Sequence, residues 1–269
     1  MHRSEVKSTH SLTDETYWDS YWEAIALPQE IARGKSSYYL NQILDVFDAC
    51  LGKGAGRSVL ELGGAPGQYL VYLTKALGYE ISCLDYSALG CESTRRNFAL
   101  LGVKGTVYQK DLFSEVSGVP LFDVVYSLGL IEHFVDLTGI VRKHLQFLKP
   151  GGLLLLGCPN FTGVNYLFLK YLAPTLLSKH NLETMKLSRW GEFEETFRLE
   201  VLFKGYVGGF EPKLLERCER STARNRLLLR VVRMLSTLQN DYPRRLGVLW
   251  HRNGRLTSGY VMGVYRAPV

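Results

Sequence analysis

Residues 58–68 read Ser-Val-Leu-Glu-Leu-Gly-Gly-Ala-Pro-Gly-Gln: a short apolar run holding one acid, then three glycines around an alanine and a proline. The run predicts a strand over 58–62 that meets a tight turn. "QYLVYLTKAL" (68–77) predicts the helix that follows, because its apolar residues recur at helical spacing and Gly78 closes it. Phosphate-cradling loops also begin with a strand and glycines, but the two known patterns fail here. The dinucleotide fingerprint needs G-x-G-x-x-G, a spacing that Gly63, Gly64 and Gly67 do not offer, and no Lys-Ser or Lys-Thr pair follows to make a Walker A loop. Glu61, near the end of the strand, would repel a phosphate and suits a cationic ligand.

Beyond the loop, strand-like and helix-like runs alternate. "YEISCLDYS" (79–87) predicts a strand ending in an acid, and "ALGCESTRRNFALLG" (88–102) a helix ending in glycine. "GTVYQKDLF" (105–113) repeats the strand-and-acid unit, and "LFDVVYSLGLIEHF" (121–134) runs from a strand into a polar turn. "DLTGIVRKHLQFL" (136–148) is helical and stops at Lys149-Pro150-Gly151-Gly152, a turn before the apolar strand "LLLLGCPN" (153–160). Such alternation makes βαβ units, hence an α/β fold with a doubly wound, mainly parallel sheet.

Two helical patterns, 16–31 and 36–52, precede the first strand and predict an N-terminal cap over 1–57. The core is expected over 58–210, with a mostly helical stretch at 161–197 and a strand at 198–210. A basic helical insertion is expected over 211–257 and a closing strand over 258–269.

With 269 residues, 46% of them hydrophobic, the chain can bury one sizeable core. No apolar run approaches the ~20 residues of a bilayer-spanning helix, and residues 1–14 do not resemble a signal peptide, so a cytoplasmic location is expected. The five cysteines show no CxxC pair and no metal-ligand spacing, and are expected to be reduced thiols. Net charge is +6, but residues 213–255 hold eleven Lys or Arg against three acids, a local +8 that leaves −2 for the rest. Within it, 213–239 reads as an amphipathic helix with a solvated basic face. It also suits an anionic membrane surface or an anionic substrate, while nucleic acid is disfavoured because no recognised module accompanies it.

"VLELGGAPG" resembles motif I of class I S-adenosylmethionine (SAM) dependent methyltransferases, and four further elements follow in family order over residues 59–160. The resemblance implies a seven-stranded Rossmann-like sheet with SAM as cofactor. It implies cofactor contacts from Glu61, Gly63, Gly64, Ala65 and Gly67 in the loop. Asp85 with Tyr86 would meet the ribose, Asp111 with Leu112 the adenine, and Ser127, Leu128 and Gly129 the methionine moiety. SAM carries a sulfonium and no phosphate, so acids at strand ends are what it requires. Each residue also has a local explanation: the glycines permit a tight turn, Asp85 could cap the helix starting near Ser87, and Asp111 could be a surface turn acid. Ala65 replaces the family's middle glycine.

Methyl transfer from a sulfonium is an in-line displacement that needs a base only if the acceptor must lose a proton. His133, in the Glu132-His133 pair past strand 4, is the candidate base; packing under the cofactor is its alternative role. Tyr17, Trp18, Tyr21 and Trp22 recur one helical turn apart, most simply as core packing of a cap helix, and Tyr21, Trp22 and Tyr38 are candidate cofactor or acceptor contacts from the cap. Asn160, Phe161, His180 and Asn181 are candidate acceptor contacts after strand 5, where the chain resembles small-molecule methyltransferases of ubiquinone-pathway and sugar-modifying type. His144, His180 and His251 stand isolated in sequence, so no metal site is expected. The strand-4 turn lacks the Asn/Asp-Pro-Pro-Tyr/Phe signature of enzymes that methylate nucleic-acid amino groups. The expected reaction is therefore O-methylation of a small molecule or a glycan or lipid intermediate. N- or C-methylation and a non-catalytic SAM-binding role are the alternatives.

Overall fold

The computed structural model describes residues 11–34, 37–114, 117–211, 222–223, 225–231, 234 and 252–269. Seven strands form one sheet: β1 (Ser58–Leu62), β2 (Glu80–Asp85), β3 (Gly105–Gln109), β4 (Phe122–Leu128), β5 (Leu148–Pro159), β6 (Glu200–Val207) and β7 (Tyr260–Arg266). Their order is β3-β2-β1-β4-β5-β7-β6, parallel except for β7, which runs antiparallel to both β5 and β6.

The central strands are apolar on both faces because both are covered, and successive side chains point to opposite sides. Leu60, Leu62, Val125, Leu154 and Leu156 face one core, packed with Ile140 and Val141 of α5 (Leu137–Leu145) and Phe193 of α8 (Gly191–Thr196). Val59, Val124, Leu153 and Leu155 face the other, packed with Leu44 and Phe47 of α2 (Tyr38–Cys50) and Leu70 of α3 (Gln68–Tyr72). Glu61 shares this second face and is buried.

Helix starts follow side-chain caps. Asp14 accepts from Tyr17 N at the head of α1 (Glu15–Glu23), and Ser87 accepts from Gly90 N at the head of α4 (Ala88–Leu100). The first predicted helix, 16–31, ends at Glu23; Pro28, which has no N–H to donate, lies in the irregular stretch beyond it. The predicted helix over 68–77 is α-helical only to Tyr72 and continues as a π-helical turn to Leu77, closed by Gly78 in the left-handed conformation. The turn expected at 149–152 lies inside β5, as an irregularity opposite a register shift between Phe122 and Val124.

Helices α6 (Gly163–Leu172) and α7 (Pro174–Ser178) follow β5. Most of the basic segment 213–239 lies outside the described residues; 225–231 is helical. Cys83, Cys91 and Cys158 are buried free thiols and Cys50 is a partly buried one, while Cys218 lies outside the described residues. No helix among the described residues is long and apolar enough to cross a membrane.

Candidate active site

β1 pairs with β2 on one side and with β4 on the other. In an open α/β sheet, the carboxyl ends of strands at such a reversal border a crevice. A cavity of about 400 Å3 lies there. Its strand-end wall comes from Gly63 after β1, Asp85 and Tyr86 at β2, Asp111 and Leu112 after β3, and Gly129 after β4. All six are residues that the sequence singled out. Its roof is the segment before α1 and α1 itself, including Leu12, Thr13, Trp18 and Trp22. That roof is fastened: Leu12 N–H donates to the His133 carbonyl (2.7 Å), and the Ser87 hydroxyl donates to Asp19 (2.7 Å).

The loop glycines answer to three different neighbours. Gly63 has φ +64°, and a Cβ there would come within 3.0 Å of Leu130. A Cβ at Gly64 would lie 2.5 Å from Glu61 Oε2, and one at Gly67 (φ +80°) 2.7 Å from the Phe98 ring. Glu61 itself is 3% exposed. Burial pushes its carboxyl up to about 8. The Tyr126 hydroxyl beside it offsets part of that cost, yet Oε2 has no hydrogen-bond partner among the described residues. Asp85 is likewise pushed up by burial, to about 6, although N–H groups of Ser87, Ala65 and Tyr86 favour its charged form. Ser87 N donates to it at 2.9 Å, so Asp85 braces the start of α4 from within the cavity wall while Ser87 supplies the cap. Asp111 is exposed and accepts from Phe113 N (2.9 Å), which makes it both a turn acid and part of the wall.

Of the remaining expected cofactor residues, Ser127 is fully buried and its hydroxyl is tied to His144 Nε2 (2.8 Å). His144 Nδ1 meets the Ile140 carbonyl (2.8 Å), and burial holds this imidazole down near 4, hence neutral. Leu128 ends β4 and packs against the core.

The acceptor candidates divide. Trp22 lines the cavity, and Tyr21 packs edge-on behind it with ring centroids 4.8 Å apart. Tyr38 stands outside the cavity wall, at the head of α2, where its hydroxyl meets Gln42. Asn160 is also outside it: its buried amide donates to the carbonyls of Arg255 and Ser258, locking the turn after β5 to the chain entering β7.

Phe161, His180 and Asn181, by contrast, converge on the Glu132-His133 turn (Ile131–His133, a single 3-10 turn). Asn181 N donates to the Glu132 carbonyl (2.6 Å), and its side chain donates to the Phe134 carbonyl (3.0 Å). The His180 ring lies 4.5 Å from that of His133 and 4.9 Å from Phe161, centroid to centroid. The expectation that His180 is isolated is thus corrected: the turn after α7 folds back across the end of β4. Glu132, His133 and His180 are all buried, and one ligand atom from each lies within 4.8 Å of the others.

His133 is the member of this group on the cavity wall. Its Nδ1 is 2.9 Å from the Lys179 carbonyl, a pure acceptor, so Nδ1 donates there and Nε2, 3.9 Å from Glu132 Oε1, is the other ring nitrogen of the site. The Trp18 ring meets it edge-on at 5.0 Å. Trp18, Lys110, Phe113, Leu130 and Phe134 also line the cavity and were not singled out as contacts from sequence. Trp18 repeats the aromatic spacing that flagged Trp22, and Leu130 and Phe134 sit inside the "SLGLIEHF" run; nothing local marks Lys110 or Phe113.

Comparison with known proteins bears directly on this architecture. A family described as "Methyltransferase domain" matches residues 35–193. A ribosomal RNA small subunit methyltransferase C from Chromohalobacter salexigens is 30% identical over 156 residues, 54% of this chain and 46% of that protein. A ubiquinone biosynthesis O-methyltransferase from Alkalilimnicola ehrlichii is 28% identical over 127 residues, 46% of this chain and 51% of that protein. The chain thus spans about half the length of the curated relatives it matches. Among solved structures, a SAM-dependent methyltransferase from Thiobacillus denitrificans in complex with S-adenosyl-L-homocysteine superposes with TM-score 0.52 at 22% identity, covering 83% of this chain and 90% of that one. The geranyl diphosphate C-methyltransferase of Streptomyces coelicolor gives 0.57 at 12% identity, covering 94% and 97%. With the strand order above and a family match over more than half its length, this chain belongs to the methyltransferase-domain family, of the class I SAM-dependent kind.

Proposed function

We propose that the cavity holds SAM and that the chain methylates a hydroxyl oxygen of a small molecule or of a glycan or lipid intermediate. The observation that carries the reading is the presence, on the wall of one cavity, of buried Asp85 and exposed Asp111 at the strand ends together with the His133 imidazole. The residues present fit this cofactor. Glu61, at the end of β1 just before the lining Gly63, has a buried oxygen without a partner among the described residues and suits an ammonium or sulfonium, and Asp85 on the wall suits ribose hydroxyls. Gly63 leaves room where a side chain would intrude. When bound, SAM supplies an activated methyl group on a sulfonium.

The chain's own work is then positioning and proton removal. The roof and the aromatic walls from Trp18, Trp22 and Phe134 exclude water from the reacting centre. His133, oriented by the Lys179 carbonyl, takes the acceptor's hydroxyl proton at Nε2 as the oxygen becomes nucleophilic. The ubiquinone O-methyltransferase relative supports oxygen as the acceptor atom. The roofed cavity and the turn Ser127-Leu128-Gly129-Leu130, which lacks the amino-methylating signature, favour a small acceptor over ribosomal RNA. Incubation with methyl-labelled SAM and a panel of phenols, catechols, sugars and ribosomal RNA tests this. Label should enter an alkali-stable methyl ether of a small molecule. Label recovered only in RNA would overturn the assignment.

A further inference from the structure

We infer that Glu132, His133 and His180 form a binding site for one divalent transition-metal ion of the zinc class. His133 Nδ1 meets the Lys179 carbonyl (2.9 Å) and His180 Nδ1 meets the Leu176 carbonyl (2.6 Å), so backbone acceptors hold the proton of each ring on Nδ1. Nε2 is then the metal-binding nitrogen of each, an arrangement in which an outer-shell carbonyl fixes tautomer and ring direction. Both rings and the Glu132 carboxylate are buried, and their ligand atoms lie within 4.8 Å of one another, His133 Nε2 and Glu132 Oε1 at 3.9 Å. Two imidazoles and one carboxyl group gathered this closely away from water form a donor set that a single cation would satisfy.

The donor set favours a metal. Two imidazoles and one carboxylate suit zinc or a neighbouring transition ion and not magnesium, which prefers an all-oxygen shell. Zinc with bonds of about 2.0–2.2 Å sets tetrahedral ligands roughly 3.4 Å apart, so the cluster has to close by at most about 1.4 Å, within reach of side-chain adjustment. Three protein ligands leave a fourth position, and His133 places the group at the cavity wall. Phe161, packed edge-on against His180, and Asn181, bonded to the carbonyls of Glu132 and Phe134, hold the ligand-bearing segments together. The inference rests on the proposed function only for its consequence: an ion on His133 Nε2 takes the lone pair otherwise used for proton removal, so the metal-loaded chain and the chain that uses His133 as base are alternative states. Metal binding itself does not depend on the reaction.

The test uses the full chain, stripped with a chelator and titrated with zinc and, separately, with cobalt(II), with SAM binding measured in parallel. Retention of about one zinc per chain, and a visible cobalt band of the intensity that low-coordinate sites give, are expected. His180→Ala and Glu132→Gln should each weaken metal binding beyond the roughly 10–100-fold that loss of an outer-shell partner costs, while still binding SAM, which shows that they fold. Failure of the wild-type chain to bind either ion while it binds SAM would overturn the inference and leave the methyltransferase reading standing. Equal metal binding by wild type and both variants would also overturn it, because the ion would then sit elsewhere. Absence of SAM binding by the wild-type chain would instead strike the proposed function.

Discussion

Gly64 and Glu61 occupy each other's space: a Cβ on residue 64 would lie 2.5 Å from Glu61 Oε2. The second glycine of the loop is therefore required by the buried acid three residues earlier, not by the approach of a phosphate. Gly64→Ala should displace the Glu61 side chain and weaken SAM binding at least about tenfold, with a stability cost of order 1–3 kcal/mol from overpacking. Calorimetric titration and thermal unfolding check it; an Ala variant with unchanged SAM affinity would show that Glu61 does not face the cofactor.

Gly67 yields a prediction about stability alone. Its φ of +80° is left-handed, and a Cβ there would stand 2.7 Å from Phe98. Gly67→Ala should lower stability by about 1–3 kcal/mol through strain and contact together, read as a shift in the denaturant midpoint. The pair Gly67→Ala with Phe98→Leu should recover part of that loss, since the smaller side chain removes the clash but not the strain.

Glu61 makes ligand binding depend on pH with a definite sign. Its folded-state value, about 8, is above the ordinary 4.5, so the free protein loses stability as pH rises between those two values. A cationic ligand beside the carboxylate favours ionisation, so SAM binding near pH 6–7 should release a proton. The thermal shift on adding SAM should be larger at pH 8 than at pH 6, and Glu61→Gln should flatten the difference. His144 has the opposite sign. Held near 4 when folded and 6.5 otherwise, it contributes stability above pH 6.5 that is lost as pH falls toward 4.

His133 on the cavity wall separates binding from turnover. His133→Ala should leave SAM affinity within about threefold and lower kcat by 10²–10⁴, the usual contribution of a positioned base. Steady-state kinetics across pH 5.5–9 on the acceptor that the labelled-SAM panel identifies is the measurement, and undiminished turnover would exclude His133 as the base.

The sheet was legible from residues because its evidence is local. Strand β1 ends at Leu62 as expected, and Gly63, Asp85, Tyr86, Asp111, Leu112 and Gly129 gather at the strand ends, since a parallel sheet brings successive βα turns to one edge. What escaped depends on contacts between segments far apart in the chain. His180 looked isolated because nothing near it binds metal or moves protons; only the fold-back after α7 sets its ring against His133. Asn160 looked like an acceptor contact, yet its amide serves Arg255 and Ser258, nearly a hundred residues away. Helical spacing reads Trp18 as core packing, since spacing alone does not tell which neighbour a cap helix covers.

The central claim is that SAM sits in this cavity against Asp85. Isothermal titration of the full chain with S-adenosyl-L-homocysteine, wild type beside Asp85→Ala, tests it most directly. About one molecule should bind per wild-type chain, with affinity falling by more than tenfold in Asp85→Ala, consistent with loss of a charge-assisted hydrogen bond worth about 1.5–3 kcal/mol. Equal affinity in a folded Asp85→Ala chain would contradict the assignment.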